Sequence, residues 1–308
     1  MQRLALLGAS SQIAQDLILS SARHGKQALL LYVRDLAATR QWLRRHGLDY
    51  PVLPYADYGK QPHDAAINFV GVGDPQRAAR MGGAIFGVTQ EFDDLVLDGL
   101  KANPERRYIF LSSGAAYGSS FLQPAGRDTQ ATISLNALQP QDYYAVAKLH
   151  AECKHRALPQ LAITDLRVFN YFSRTQDMEA RFFITDILRA IRQGSTLRTS
   201  GDYMVRDFLH PSDFHQLVSR VLAAPPANQA LDCYSRATID KPTLLAAMRA
   251  QFGLDYELAG DAPAALNATG AKPHYYSLRR DAAGLGYAPA YSSEEGIIVE
   301  SKAWLGLA

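Results

Sequence analysis

A tyrosine and a lysine at helical spacing are the residues of this sequence best suited to proton transfer. In the segment D-Y-Y-A-V-A-K, residues 142–148, Tyr144 and Lys148 are four positions apart, so a helix places both side chains on one face. A free tyrosine has a pKa of about 10, and a nearby ammonium lowers that value because it favours the phenolate. We therefore predict that Tyr144 is a general acid and base and that Lys148 lowers its pKa.

Two serines upstream of this pair can bind the reacting oxygen. The segment R-R-Y-I-F-L-S-S-G-A-A-Y-G predicts a buried strand over residues 108–111 that opens into a turn of small residues carrying Ser112 and Ser113. A hydroxyl there can hydrogen-bond the oxygen that the tyrosine protonates or deprotonates. Ser113 is the predicted third catalytic residue.

Composition narrows the class of protein that must position these groups. The chain has 308 residues, 47% of them hydrophobic and 20% charged, as is typical of a soluble globular protein. Its 32 basic and 30 acidic residues give a net charge of +2, which offers no support for nucleic acid or a membrane surface as partner. The two cysteines lack metal-ligand spacing and fit a reducing compartment. The first apolar run is too short for a signal peptide and no membrane-length run occurs, so we expect a cytoplasmic protein.

The first strand and its turn predict a dinucleotide site. An apolar run over residues 4–7 is followed by G-A-S-S-Q-I-A and a helical pattern, and in such a unit backbone N–H groups and the helix N-terminus face a diphosphate. The predicted cofactor-binding residues of this turn are Gly8, Ser10, Ser11, Gln12 and Ile13. An ordinary strand–helix turn is the alternative.

The end of the second strand bears on the choice of cofactor. The strand is predicted over residues 28–33, and Arg34 follows it. An arginine at this point can hold the 2′-phosphate of NADP, whereas an acidic residue would bind the ribose of NAD. Arg34 therefore favours NADP. The alternative, nearly as well supported, is that Arg34 is a solvent-exposed charge beside Asp35 without a cofactor contact.

Alternating strands and helices predict an α/β fold with a doubly wound parallel sheet of Rossmann type. Strands are expected over residues 52–55, 65–70 and 162–168, and helices over 36–46, 83–101 and 143–158, with a loop replacing the helix between the third and fourth strands. After Asn170 the alternation stops, and helices are expected over 181–193, 211–224 and 241–252, an extended piece over 206–210 and a loop over 259–273. We predict a dinucleotide-binding domain of residues 1–170 plus about 206–232, and a smaller, discontinuous α/β substrate domain of about 171–205 plus 233–308.

The order of these motifs resembles the extended short-chain dehydrogenase/reductase family, the branch of nucleotide-sugar epimerases, dehydratases and reductases. The succession is the glycine turn, strand-Ser-Ser-Gly-x-x-Tyr-Gly, Tyr-x-x-x-Lys, L-R-V-F-N and R-D-F-L-H-P-S-D, and it spans nearly the whole chain. This chain keeps only Gly8 of the family's three turn glycines, with Ser11 and Ala14 at the other two places. The resemblance implies an NAD or NADP cofactor, a nucleotide-sugar substrate and a possible homodimer.

The resemblance also implies roles for single residues. Lys148 would bind the nicotinamide ribose, while Asn170 would contact the diphosphate and Arg206 a phosphate of the nucleotide sugar. Phe182 and Phe183 would line the nucleotide pocket. The further cofactor contacts it implies are Asp57, Phe69, Val70, Gly71, Ser112 and Phe169. Structural roles are the alternatives to these binding roles. Asn170 could simply form a turn, and Arg206 could form an ion pair with Asp207.

The residues of the turn after Ser113 limit which of the family's reactions this chain is expected to catalyse. Dehydratases resembling this chain carry Asp-Glu after the hydroxyl residue, whereas this chain has Gly114 and Ala115, which cannot move a proton. A 4,6-dehydratase is therefore not expected, and an epimerase or a keto-sugar reductase remains. A non-catalytic NAD(P)-binding sensor or scaffold of the same fold is the alternative from another class.

Overall fold

The computed structural model describes residues 2–25, 27–72, 78, 80–118, 120–259 and 272–307. The described strands are β1 (Gln2–Leu7), β2 (Gln27–Tyr32), β3 (Val52–Leu53), β4 (Ala65–Asn68), β5 (Arg107–Ser113), β6 (Ala162–Val168), β7 (Asn170–Tyr171), β8 (Leu197–Ser200), β9 (Val205–Arg206), β10 (Phe208–Leu209), β11 (Gln229–Asp232), β12 (Ile239–Asp240), β13 (Tyr256–Ala259) and β14 (His274–Tyr275). The described helices are α1 (Gln12–His24), α2 (Leu36–Arg45), α3 (Ala84–Ala102), α4 (Pro140–Arg156), α5 (Phe183–Gln193), α6 (Pro211–Ala223), α7 (Lys241–Phe252) and α8 (Ser293–Trp304).

Seven parallel strands form the central sheet in the order β11-β6-β5-β4-β1-β2-β3. This is the doubly wound Rossmann order with β11 added at one edge, and it confirms the predicted fold class. The strands of this sheet are continuous apolar runs in the sequence, because helices cover both faces of the sheet. Leu4 and Leu6 pack into one hydrophobic cluster with α1 and α6, and Ala5 and Leu7 pack into a second cluster with α3 and α4.

The register of the sheet brings the ends of distant strands together. Leu7 pairs with Asn68, and Ser113 pairs with Val168. The residues that follow these strands therefore meet at the carboxyl edge, where open α/β sheets bind ligands. Gly8 lies beside Phe69 there, and Gly114 lies beside Phe169.

The connection between β3 and β4 contains a short 3₁₀ turn, Tyr55–Asp57, and no α-helix among its residues, all of which are described. The predicted loss of the crossover helix is confirmed. The side chain of Tyr58 fills part of the space, since a Cβ at Gly99 on α3 would lie 3.2 Å from its ring.

A third hydrophobic cluster lies in the second half of the chain. It is formed by α5, α7 and α8, with Ile187, Leu188, Met248 and Ile297 buried at its centre. Small strand pairs border it, including the parallel pair β10–β7 and the sheet β12-β9-β14. The cluster falls mainly in the part of the chain assigned to the substrate domain, and the exact boundaries of that domain stay a prediction.

The sequence analysis missed several elements, among them the edge strand β11 and helix α8, and some of its predicted boundaries differ from those observed. It gave no strand at β11 and no helix at α8, whose first turn is capped by Ser292, which accepts a hydrogen bond from the N–H of Glu295. The helix predicted to start at residue 143 begins at Pro140, where proline is pre-organised for the first turn. Most of the loop predicted over 259–273 lies outside the described residues. Within the described part of the chain, no helix has the length and apolar character needed to cross a membrane.

Candidate active site

Tyr144 and Lys148 lie on one helix, as their spacing predicts. Both belong to α4, and the Lys148 ammonium lies 5.8 Å from the centroid of the Tyr144 ring. Lys148 Nζ donates a hydrogen bond of 2.7 Å to the carbonyl oxygen of Leu111 and lies 4.3 Å from the centroid of the Phe110 ring. The end of β5 thus fixes the ammonium against the helix.

Burial dominates the ionisation of this pair. Burial raises the pKa of Tyr144, and a hydrogen bond with Ser113 lowers it only in part. Burial also lowers the pKa of Lys148 to about 8, against the opposing charges of Asp93, Glu152 and Asp165. The net pKa of Tyr144 is therefore raised in this structure, because exclusion of water disfavours the phenolate more than the hydrogen bond with Ser113 favours it. A lowering influence of Lys148 stays a prediction.

A second tyrosine joins Ser113 and Tyr144. The hydroxyl of Tyr275, on β14, lies 3.2 Å from Ser113 Oγ. Its ring packs edge-on against Phe121, with centroids 4.7 Å apart, and against Phe169 at 5.3 Å. Burial raises the pKa of Tyr275, which keeps its hydroxyl neutral. Three hydroxyl groups from β5, α4 and β14 therefore meet at one point.

Ser112 faces the other side of β5. Its hydroxyl donates a hydrogen bond of 2.5 Å to Glu152, which in turn accepts from Arg167. Arg167 also donates to the hydroxyl of Tyr117, and Tyr117 donates to Asp232 on β11. The Ser112 hydroxyl is thus engaged in a buried network, and the predicted contact of Ser112 with the cofactor stays a prediction, for which its backbone is the available part.

The turn after β1 fits the diphosphate of a dinucleotide. Gly8 has φ +73°, and a Cβ on it would lie 2.9 Å from the backbone of Phe69 and Val70, so glycine is required there. The hydroxyl of Ser11 is buried without a hydrogen-bond partner at the N-terminus of α1. A polar group with unused bonding capacity, beside a helix N-terminus and a backbone with no room for a side chain, is what a diphosphate requires.

The other residues predicted around the cofactor border this turn or face away from it. Gln12 donates a hydrogen bond of 3.0 Å to Ser173, which ties α1 to the chain after β7. A Cβ on Gly71 would lie 3.6 Å from Lys148 Nζ, so the chain after β4 approaches Lys148. Asp57 is paired with Lys60 at the surface.

Arg34 is exposed at the end of β2, while its neighbour Asp35 has a structural task. The Asp35 carboxylate accepts a hydrogen bond of 2.9 Å from the N–H of Ala38 and so caps α2. Capping is therefore the role of Asp35, and the Arg34 guanidinium remains at the surface beside the turn.

The predicted substrate residues Asn170 and Arg206 both contact the chain around Tyr275. The Asn170 amide donates to the carbonyl oxygens of Asp207 and Tyr275, at 3.3 and 3.4 Å. Arg206 Nη1 donates to the carbonyl oxygens of Val205 and Lys272, at 2.8 and 2.6 Å.

The ion pair between Arg206 and Asp207 that the sequence left open is replaced by another contact. Asp207 is buried and accepts a hydrogen bond of 2.8 Å from the N–H of Ser235. Phe182 and Phe183 lie at the start of α5 and pack against the third hydrophobic cluster, apart from the aromatic cluster around Tyr275.

Among the described residues, no group of histidines, cysteines and carboxylates is arranged to hold a metal ion. Two residues of the site, Tyr275 and Lys272, were missed by sequence reasoning. No local pattern marks them, because Lys272 lies near the end of the segment predicted as a loop, Tyr275 follows shortly after it, and both are far in sequence from the other site residues.

Solved structures share this fold over almost the full chain. A UDP-glucose-4-epimerase from Stenotrophomonas maltophila with NAD and formylated UDP-arabinopyranose superposes with a TM-score of 0.81 at 14% identity, covering 99% of this chain and 98% of that one. A UDP-glucose 4-epimerase from Thermotoga maritima with UDP-glucose gives 0.79 at 15% identity, covering 98% of both chains. A dTDP-glucose 4,6-dehydratase from Bacillus anthracis with NAD gives 0.77 at 15% identity, covering 99% and 97%.

Two comparisons of the amino-acid sequence with known proteins gave different outcomes. No curated protein matches the chain. The model of the NAD dependent epimerase/dehydratase family matches residues 5–234, which include the glycine turn, Ser113, the Tyr144–Lys148 pair and Arg206. The chain is therefore a member of the NAD dependent epimerase/dehydratase family.

Proposed function

We propose that the chain is an NAD(P)-dependent enzyme that epimerises a nucleotide sugar or reduces a keto-sugar, with Tyr144 as general acid and base. The observation that carries this proposal is the cluster of Ser113, Tyr144 and Lys148 at the carboxyl edge of the sheet. A non-catalytic sensor has no need of these three groups in one place. The turn after β1, which keeps only one of the family's three glycines, still has the buried Ser11 hydroxyl to offer a diphosphate.

The cofactor-binding part of the proposal rests on the turn after β1. Gly8, Ser10, Ser11, Gln12 and Ile13 would hold the diphosphate, and the ends of β2 and β4 would border the two riboses. A bound nicotinamide supplies the acceptor or donor of a hydride. Arg34, exposed beside the turn, favours NADP, whereas NAD is the cofactor bound in the solved epimerase from Stenotrophomonas maltophila.

Proton transfer falls to the residues of the cluster. The raised pKa of Tyr144 keeps its phenol protonated at neutral pH, so it is ready to donate a proton to a carbonyl oxygen of a keto-sugar. The Ser113 hydroxyl would donate a hydrogen bond to the same oxygen and orient it. In the reverse direction Tyr144 must lose its proton, and the nearby Lys148 ammonium would stabilise the phenolate that results.

Elimination of water is disfavoured by the space after Ser113. A Cβ on Gly114 would lie 2.4 Å from the ring of Phe169, so no acidic side chain fits at this position beside that ring. We therefore favour epimerisation or reduction over 4,6-dehydration. A homodimer, a cytoplasmic location and the two-domain division belong to the same proposal, and light scattering would check the first.

Turnover of defined substrates tests the proposal. The protein is incubated with NAD or NADP and UDP- or dTDP-hexoses, and in a separate assay with NADH or NADPH and a UDP- or dTDP-keto-sugar. The sugar protons are followed by NMR and the reduced cofactor by absorbance. Inversion at one carbon without net cofactor change identifies an epimerase, and stoichiometric cofactor oxidation with a keto-sugar identifies a reductase. Binding of cofactor and sugar nucleotide without turnover would instead establish a sensor.

A further inference from the structure

A row of polar side chains crosses three neighbouring strands of the central sheet just before its carboxyl edge. Ser112 on β5 pairs with Arg167 on β6, and Arg167 pairs with Asp232 on β11, the edge strand. Partners in a parallel register point to the same face of a sheet, so these three side chains form one row. The row lies one residue before Ser113 and is held in place by the strands that carry it.

Asp232, at the end of this row, links the sheet to the segment that carries Tyr275. Its side chain is fully buried, and its Oδ2 atom accepts hydrogen bonds of 2.5 Å from the Ser277 hydroxyl and 2.8 Å from the Tyr117 hydroxyl. Ser277 is itself buried and follows Tyr275 by two residues. The central sheet thus holds this late segment next to the tyrosine whose hydroxyl lies 3.2 Å from Ser113 Oγ.

The Tyr117 hydroxyl uses all of its bonding capacity in this network. It donates to Asp232 and accepts hydrogen bonds of 2.7 Å from Arg167 and 3.2 Å from Arg279. A phenol has one proton to donate and two lone pairs that accept, so none is left over. Burial, and after it the charge of Asp232, raises the pKa of Tyr117 to about 12, so at neutral pH the hydroxyl stays a donor to the carboxylate.

The backbone around Tyr275 pairs with short segments outside the central sheet. The N–H groups of His274 and Leu278 donate hydrogen bonds of 3.0 and 2.8 Å to carbonyl oxygens of the loop at residues 121–125, and β14 pairs with the two-residue strand β9. Short segments that pair with one another can shift together, whereas Asp232 belongs to the seven-stranded sheet. The hydrogen bonds of Asp232 therefore fix where these segments lie relative to the end of β5.

A purely structural role for Asp232, as the counter-charge of Arg167, is the competing explanation. The two groups are 3.4 Å apart, whereas the Arg167 guanidinium makes three shorter hydrogen bonds, of 2.5 to 3.0 Å, with Glu152. The charge of Arg167 is thus met by Glu152. The shortest contact of Asp232 is the one with Ser277, which leads to the site.

We propose that Asp232 is a positioning residue for the reaction: through Ser277 it fixes the segment that carries Tyr275, and so orients the Ser113 hydroxyl towards the reacting oxygen. The inference rests on the proposed function and adds to it a residue that acts only through others. A misplaced hydroxyl weakens a contact made in the transition state, so the effect should appear in kcat while KM stays nearly unchanged.

The test measures whether Asp232 and Tyr275 act as one unit. Asp232→Asn keeps the size of the side chain and removes its charge, and Ser277→Ala removes the donor at the other end of the same hydrogen bond. Asp213→Asn is the matched control, because the Asp213 carboxylate is as deeply buried and accepts hydrogen bonds of 2.9 and 3.1 Å from two backbone N–H groups. Each substitution is also made in the Tyr275→Phe protein. Melting temperatures are measured, and kcat and KM are measured well below them with a substrate that wild type turns over.

We expect Asp232→Asn and Ser277→Ala to lower kcat by about three- to tenfold, with KM changed by less than about twofold. In the Tyr275→Phe protein neither substitution should lower kcat by more than about a further twofold, because the hydroxyl through which they act is already gone. Asp213→Asn should lower the melting temperature as Asp232→Asn does and leave kcat unchanged.

Three results overturn the inference. They are a kcat of Ser277→Ala equal to that of wild type, losses of kcat that multiply in full with that of Tyr275→Phe, and a loss in Asp213→Asn as large as that in Asp232→Asn. Ser277→Ala decides the matter by itself if Asp232→Asn does not fold. A wild-type protein that turns over no sugar nucleotide refutes the proposed function together with the inference, whereas the three results above arise in an active enzyme and leave the proposed function standing.

Discussion

The hydroxyl of Tyr275 lies 3.2 Å from Ser113 Oγ, although the two residues are 162 positions apart in the chain. Ser113 ends a core strand, whereas Tyr275 belongs to a two-residue strand that pairs with β9. A residue from the late part of the chain therefore completes a hydroxyl cluster that the central sheet begins. Catalysis at Tyr144 should depend on how this late segment is held.

Replacing Tyr144 by Phe should abolish most turnover while cofactor affinity stays nearly unchanged. The substitution removes one proton-transfer group and almost no packing, and such groups contribute about a hundred- to ten-thousand-fold. Steady-state kinetics and cofactor titration measure the two effects. Tyr143→Phe is the control, because Tyr143 points about 100° around the helix and packs against Phe86. More than a tenth of wild-type activity in Tyr144→Phe would show that another group is the base.

Replacing Arg34 by Ala should weaken NADP far more than NAD. A guanidinium on the 2′-phosphate makes charge-assisted hydrogen bonds worth about 1.5–3 kcal/mol each, and NAD has no phosphate at that place. Dissociation constants for both cofactors decide the matter. Arg44→Ala, an exposed arginine on α2, controls for the loss of one surface charge. Equal losses for the two cofactors would assign Arg34 a structural role.

Replacing Tyr275 by Phe should lower turnover by about tenfold or less and leave the fold intact. Only the hydroxyl is lost, and a hydrogen bond between neutral groups contributes about 0.5–1.5 kcal/mol. The ring keeps its contacts with Phe121 and Phe169. Turnover numbers of this variant and of the neighbouring control Tyr276→Phe give the comparison. An unchanged rate would mean that Ser113 is oriented without Tyr275.

The stability of the folded chain should fall as the pH rises through about 9, because of His155. Its ring is fully buried, with Nδ1 2.6 Å from Asp165 and Nε2 2.8 Å from Asp93. Burial opposes the charge on His155, but the hydrogen bonds with the two carboxylates outweigh it and raise the pKa to about 9 from 6.5. Because the folded-state pKa is the higher one, the stabilisation is complete below pH 6.5 and is lost as the pH passes 9.

Urea denaturation of wild type and His155→Gln at several pH values checks this expectation. The variant should be less stable where His155 is charged, since it removes the cation between two buried carboxylates. The loss should be below the about 3–5 kcal/mol of a fully unpaired buried charge, because Lys154 still pairs with Asp93 and Arg156 with Asp165. The difference should shrink in alkali. A difference that does not change with pH would show that the imidazole is neutral in the folded chain.

Local spacing was enough to place Tyr144 and Lys148, because a helix fixes which residues share a face. Spacing also predicts that the side chains of Ser112 and Ser113 point to opposite faces of the sheet, since neighbouring residues on a strand alternate in direction. Applied to β5, that rule would have sent Ser112 towards α4 and left only Ser113 for the site. The alternation of side chains along a strand thus predicts that the Ser112 hydroxyl faces the protein interior, and contact of the rest of Ser112 with the cofactor stays a prediction.

Tyr275 and Lys272 carry no such signal. Their positions depend on β14 pairing with β9, two short strands more than sixty residues apart in sequence, and two residues are too few to show a period. The ionisation of Tyr144 was equally out of reach, because it depends on burial, and spacing gives only the distance to Lys148. Helix α8 was missed because Gly296 interrupts its pattern, yet the glycine packs against His210, 3.5 Å from where a Cβ would be.

The contact between Gly114 and the Phe169 ring also limits how this chain can evolve. An aspartate at position 114 cannot be accommodated until Phe169 becomes smaller, and shrinking Phe169 alone would open a void between Tyr117, Phe121 and Tyr275. Each change is harmful without the other, so the two are epistatic. An acidic residue at position 114 is therefore expected only together with a smaller residue at position 169.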